Sequence, residues 1–160
     1  MADARELEAK FWKTIDGDRT VMLGIDGVAP RPMTALVEDD RAPIWFFTAS
    51  DTDLARQLSG SRGKPATATV ASKGHDLFAT VNGQLVVDND PAVIDRLWNP
   101  FIAAWFEGGK DDAKVRLLRM DPADAHVWLN EHSLLAGVKL MLGVDPKQAY
   151  QGKTGDIDIH

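Results

Sequence analysis

A chain of 160 residues, 44% hydrophobic and 26% charged, can bury a core without covalent staples and suits one domain over residues 1–160. Its net charge of −6 disfavours a nucleic-acid binder, and no apolar run approaches the roughly 20 residues of a membrane span. Cysteine is absent, which excludes disulfides, thiolate metal sites and cysteine nucleophiles and suits a cytoplasmic protein.

The charged N-terminus is unlike a secretory signal. Residues 3–16 predict an amphipathic helix: Asp3 can cap it, Leu7, Phe11 and Ile15 recur at helical spacing, and Gly17 ends the pattern. Asp26-Gly27 between apolar runs predicts a hairpin joining strands 19–25 and 28–37. Pro30 and Pro32 lack amide donors, so the second strand should be an edge at its start, or bulged.

After the polar turn 38–41, the segment 43–48 is short, apolar and aromatic and reads as a strand. Alternation turns Phe46 away from Trp45 and Phe47. Asp51 or Thr52 should cap a short helix through Leu58. Residues 66–71 and 76–87 read as strands, although Asn82-Gly83 would also serve as a hairpin turn.

Asn89 or Asp90 caps a helix that is apolar nearly all round, and Pro100 should kink or split it. Gly108 to Asp112 is a loop. Lys114–Met120 and Ala125–Leu129 look like a strand pair around Asp121-Pro122, and Ser133–Leu142 like a final helix before a polar tail. His126 and His132 flank a strand end and read as surface or turn residues. The direct expectation is helices around a mostly antiparallel sheet.

Familiar catalytic signatures are missing. There is no dinucleotide-binding glycine motif, no nucleophile elbow and no zinc-protease histidine spacing, so no metal site is expected. Gly63-Lys64 resembles the end of a phosphate loop, but Pro65 occupies the hydroxyl position.

Five segments stand out in order: Arg31-Pro32-Met33; Trp45-Phe46-Phe47-Thr48; Val81-Asn82-Gly83-Gln84; Leu97-Trp98-Asn99-Pro100; and Trp105 through Asp112. Across about residues 5–130 this succession resembles the general stress protein branch of the pyridoxamine 5'-phosphate oxidase-like flavoproteins. The resemblance implies a mainly β fold with flanking helices, an antiparallel Greek-key split β-barrel. It also implies a homodimer with FMN at the subunit interface. The Arg31, Pro32 and Met33 backbone would line the isoalloxazine, with Phe47 and Thr48 beside it. Ser50 and Thr52 would lie near the ribityl-phosphate, and Trp105 would cover the ring from the second subunit. Lys73, His75 and Asp76, at a strand start, could face the pocket. The resemblance also keeps Asn82-Gly83 inside one strand, where glycine lets a neighbour approach closely.

Each residue has a plainer explanation: an edge arginine in solvent for Arg31, core packing for the aromatics, and a solvated turn for residues 73–76. One position departs from the family. Its short helix usually brings a lysine to the phosphate, and Leu54 stands there; Arg62 or Lys73 would have to substitute. The function implied is an FMN-dependent oxidoreductase of unassigned substrate, with no catalytic residue singled out. The alternative is a stress protein that stores or senses flavin without turnover. Haem or a deazaflavin would suit the same barrel, but haem needs an axial ligand, and only His75 and Met33 stand near the expected pocket.

Overall fold

The computed structural model describes residues 3–130 and 154–159. Helix α1 (Ala4–Asp18) starts where the Asp3 side chain accepts from the Arg5 amide, and it buries Leu7, Phe11, Trp12 and Ile15. Gly17 lies within its last turn rather than ending it. Arg19 takes the left-handed conformation (φ 65°), and its amide donates to the Ile15 carbonyl.

Strands β1 (Thr20–Ile25) and β2 (Val28–Thr34) form the expected hairpin, with Gly27 at φ 82°. The predicted strand 28–37 is interrupted at Ala35, and β3 (Leu36–Glu38) pairs instead with β4 (Arg41–Ala49). Helix α2 (Asp53–Leu58) is capped by Thr52, and β5 (Lys64–Ala71) and β6 (Leu77–Val87) follow. Asp90 caps α3 (Pro91–Leu97), Asn99 caps α4 (Pro100–Ala103), and Pro100 opens the second helix, so the split expected there is present.

Two expectations need correction. Residues 114–129 are not a strand pair: β7 (Val115–Leu129) is one strand of 15 residues. Its register shifts at Pro122-Ala123, where Ala123 bulges between the Gly83–Pro122 and Asn82–Asp124 pairs. The polar tail also contains a strand, β8 (Thr154–Asp158), paired with β7 and placing Ile157 in the core. The helix expected at Ser133–Leu142, and His132, lie outside the described residues.

The strands form one antiparallel sheet in the order β2-β1-β5-β6-β7-β4-β3, with β8 alongside β7. The sheet curls so that its edge strand β2 lies against β4 and α2. Side-chain alternation creates two apolar layers. Phe46, Ile44, Leu118 and Met120 face the barrel interior with α1 and α2, whereas Trp45, Leu117 and Val115 face outward beneath α3. Phe46 and its neighbours therefore point to opposite faces, as the alternation requires.

Gly83 is pressed by the backbone of the neighbouring strand. A Cβ there would lie 2.3 Å from the Asp121 carbonyl oxygen and 2.8 Å from Pro122 Cα. Asn82-Gly83 is thus inside a continuous strand, and glycine is there because the bulge presses on it.

Candidate functional site

The curl of the sheet brings β2, which carries Arg31–Met33, against β4 and α2. Arg31 and Pro32 are exposed on the edge strand, opposite Leu23 and Met22, while Met33 turns into the core. An edge strand has backbone groups that no neighbouring strand uses, so β2 offers amides and carbonyls to a flat ligand.

Phe47 is half-buried with its ring edge-on to Trp98, centroids 5.7 Å apart, and Trp98 in turn packs on Phe106 at 5.9 Å. Helix α3 is held over this face by Glu38, which accepts from Arg96 Nε at 2.9 Å and Nη2 at 3.1 Å. Those bonds keep the Glu38 carboxyl below the usual carboxylate range.

The hydroxyl corner is built by capping. Thr52 Oγ1 donates to the Ala49 carbonyl at 3.0 Å and accepts from the Ala55 amide at 3.2 Å. Its single proton is thereby used, so in the 3.1 Å contact with Thr48 Oγ1 the proton comes from Thr48. Thr52 is fully engaged in forming the corner. Ser50 differs: its backbone amide donates to the Lys114 carbonyl at 2.8 Å, and its half-buried hydroxyl makes no hydrogen bond among the described residues. Of the two hydroxyls anticipated for a phosphate, Ser50 is the available one.

Leu54 is fully buried in the main core, which explains why no cation stands there. A different cation does. Arg116 sits directly across from Thr48 in the β4–β7 register and is half-buried. Sequence inspection missed it because its importance depends on a cross-strand pairing that no local pattern reveals.

Lys73, His75 and Asp76 lie elsewhere in this chain. Their turn packs against the C-terminal end of α1, where the Lys73 amide donates to Asp18 Oδ2 at 2.8 Å. It is also tied to the Leu129 end of β7, through the Asn130 amide and the Asp76 carbonyl at 2.8 Å. Ser50 is bound at the other end of that strand. Asp76 accepts from the Ser72 hydroxyl, and the His75 ring stacks on Phe78 with centroids 6.1 Å apart, so both have local structural roles. Trp105 is 83% exposed and Phe101 85%, a pair of large apolar side chains left in solvent within one chain.

A shallow groove of about 580 Å³ lies away from this corner, on the outer face of β1, β5, β6 and the β7 bulge. It is lined by Thr67, Asn82, Gln84, Asp26 and Asp121 among others, with no lysine or arginine. The groove's lining offers an anionic tail no cation, whereas β2, the end of β4 and β7 supply an edge backbone, an aromatic flank, a hydroxyl and a guanidinium. That donor set fits a flavin and its phosphate.

Comparison with known proteins identifies the family. Residues 6–151 match the family model described as pyridoxamine 5'-phosphate oxidase like. A solved structure described as a general stress family protein of Xanthomonas campestris pv. campestris is 55% identical (TM-score 0.77), over 84% of this chain and 94% of that one. The general stress FMN/FAD binding protein of Xanthomonas citri is 53% identical (TM-score 0.77), over 81% and 93%. A structure described as general stress protein 26 of Jannaschia sp. CCS1 is 30% identical with a TM-score of 0.84, over 98% and 100%. The comparison with curated proteins gives no match. The fold is the mainly β split barrel with flanking helices that the sequence led us to expect. The chain belongs to the pyridoxamine 5'-phosphate oxidase-like family, in its general stress protein branch.

Proposed function

We propose that this protein binds FMN at the corner between β2, β4 and α2, and that it works as a cytoplasmic homodimer with the flavin between subunits. The observation that carries the reading is the end of β4, which presents Phe47 on one face and Thr48, opposite half-buried Arg116, on the other, with the free Ser50 hydroxyl in the turn that follows and β2 packed against β4. The Xanthomonas citri relative, described as FMN/FAD binding, supports a flavin as ligand.

The residues would divide the work by chemistry. The edge backbone of Arg31–Met33 orients the ring, Pro32 contributing a carbonyl and no amide, while Phe47 flanks it and Ser50 donates to the phosphate. Bound FMN supplies hydride or single-electron transfer, so the chain needs only to bind, orient and exclude water. Exposed Phe101 and Trp105 support dimerisation, because a second subunit would cover apolar surface that one chain leaves wet. The absence of cysteine supports a reducing compartment.

On this reading the protein is a flavin-dependent oxidoreductase. The second reading, flavin storage or sensing without turnover, is favoured by one observation: Met33, Phe47 and Thr48 bring no carboxylate or imidazole to the ring. The test is spectroscopic. After incubation with FMN and removal of free flavin, the protein should retain visible flavin absorption, and anaerobic NADH or NADPH should bleach it if it is an oxidoreductase. Retained flavin that neither donor nor pyridoxamine phosphate reduces supports storage, and a colourless protein overturns both readings.

A further inference from the structure

Resting on the FMN reading above, we infer that Arg116 is the residue that grips the terminal phosphate and makes the site select phosphorylated flavin over riboflavin.

Arg116 and Thr48 are directly opposed in the β4–β7 ladder, so their side chains share a face. That face also carries the Thr48–Thr52 hydroxyl pair, and the Ser50 amide ties the turn to Lys114, two residues before Arg116. Arg116 Nη1 donates to the Ala113 carbonyl at 2.9 Å and to the Val115 carbonyl at 2.8 Å. Two bonds from one nitrogen park the guanidinium over the first residues of β7, alongside the Ser50 turn. They leave Nε and Nη2 without a protein hydrogen bond among the described residues. Those two nitrogens form one edge of the guanidinium, the edge that matches two phosphate oxygens.

No carboxylate pairs with Arg116 among the described residues; of the other cations considered, Lys114 and Arg56 are paired, and Arg31 and Arg62 are exposed. Lys114 is 65% exposed and pairs with Asp51 at 3.9 Å, and Arg56 pairs with Asp53 at 3.8 Å. Arg62 is exposed, and Lys73 lies at the far end of β7. At this corner, Arg116 alone among these cations is half-buried, held in place by its own bonds and free on one edge. It does from β7 what Leu54, buried in the core, does not do from α2.

The test is a pair of flavin titrations, FMN and riboflavin, each followed by fluorescence quenching, on the wild-type chain and on Arg116→Met, Arg116→Gln and Arg116→Lys. The wild type should bind FMN more tightly than riboflavin. Removing the guanidinium should weaken FMN binding about tenfold or more, with riboflavin unchanged, so that the two affinities converge. Arg116→Lys, which keeps the charge but loses the fork, should fall between. Raised salt should weaken FMN binding to the wild type more than to Arg116→Met.

Any folded variant without the guanidinium that keeps the wild-type ratio of FMN to riboflavin affinity overturns the inference. Arg116→Gln decides if Arg116→Met does not fold, and Arg116→Lys decides if neither does: there, a wild-type ratio and salt response count against it. A wild-type chain that binds neither flavin overturns the FMN reading itself, an outcome distinct from a failure of Arg116.

Discussion

Replacing Gly83 with alanine tests how the barrel is closed. The added Cβ would sit 2.3 Å from the Asp121 carbonyl oxygen, 0.7 Å inside the 3.0 Å that such contacts almost never breach. Both neighbours it meets, that oxygen and Pro122 Cα, are backbone, so no side chain can rotate away. The β7 bulge must shift outward instead. Overpacking of this kind costs about 1–3 kcal/mol. One or two disturbed ladder bonds add about 0.5–1.5 kcal/mol each. Reduced chain entropy in the unfolded state returns about 0.4–1 kcal/mol. The net is a loss of about 3 kcal/mol at the centre of these ranges, or a fall in Tm of roughly 6–12 °C for a chain of this size. Gly17 is the control: a Cβ there meets nothing within 4 Å, and its place in α1 predicts a gain of up to about 1 kcal/mol on substitution by alanine. Thermal unfolding of both variants, at one protein concentration because the proposed dimerisation would raise Tm by mass action, gives the answer. A Gly83→Ala protein as stable as the wild type would refute the close-approach account.

Three further outcomes are expected. Phe46→Ala should cost about 3–5 kcal/mol because it empties the barrel core, whereas Phe47→Ala should cost less in urea unfolding but weaken flavin binding. Asp112 accepts from the Lys114 and Gly108 amides, both at 2.9 Å, and these bonds hold its carboxyl below its ordinary value of 3.8. A depressed value contributes stability above the ordinary range that is lost as pH falls through the folded-state value. The Tm advantage of wild type over Asp112→Ala should therefore be full at neutral pH and shrink in the acid limb below about pH 4, where a constant gap would contradict the assignment. Trp105→Ala should lower dimer affinity in sedimentation equilibrium while leaving helical content unchanged; an unaffected dimer would remove Trp105 from the interface.

Features governed by near neighbours were legible in the sequence. The Asp26-Gly27 hairpin, the Thr52 and Asp90 caps, the break at Pro100 and the opposed faces of Phe46 and Phe47 all follow from residues within a turn of each other. Features set by distant pairing were not. Asp121-Pro122 has the composition of a turn, and only Gly83 across the ladder explains why it lies beside a bulge in one long strand. β8 is too short and polar to announce itself; its apolar contribution is Ile157, with Ile159 just beyond, and its reason to be extended is β7. The site divides the same way. Arg31–Met33 and Phe47–Thr48 could be proposed from motif order, but Arg116's position across from Thr48 needs the register. For Lys73, His75 and Asp76 the sequence left solvent and ligand equally open, because polar residues at a strand start suit either. Their hydrogen bonds tie them to α1 and the far end of β7.

The most direct test of the flavin site is an equilibrium titration of the purified chain with FMN, followed by quenching of flavin fluorescence. The geometry predicts saturable binding at or below tens of micromolar, with one flavin per chain. A flat titration through that range would contradict it.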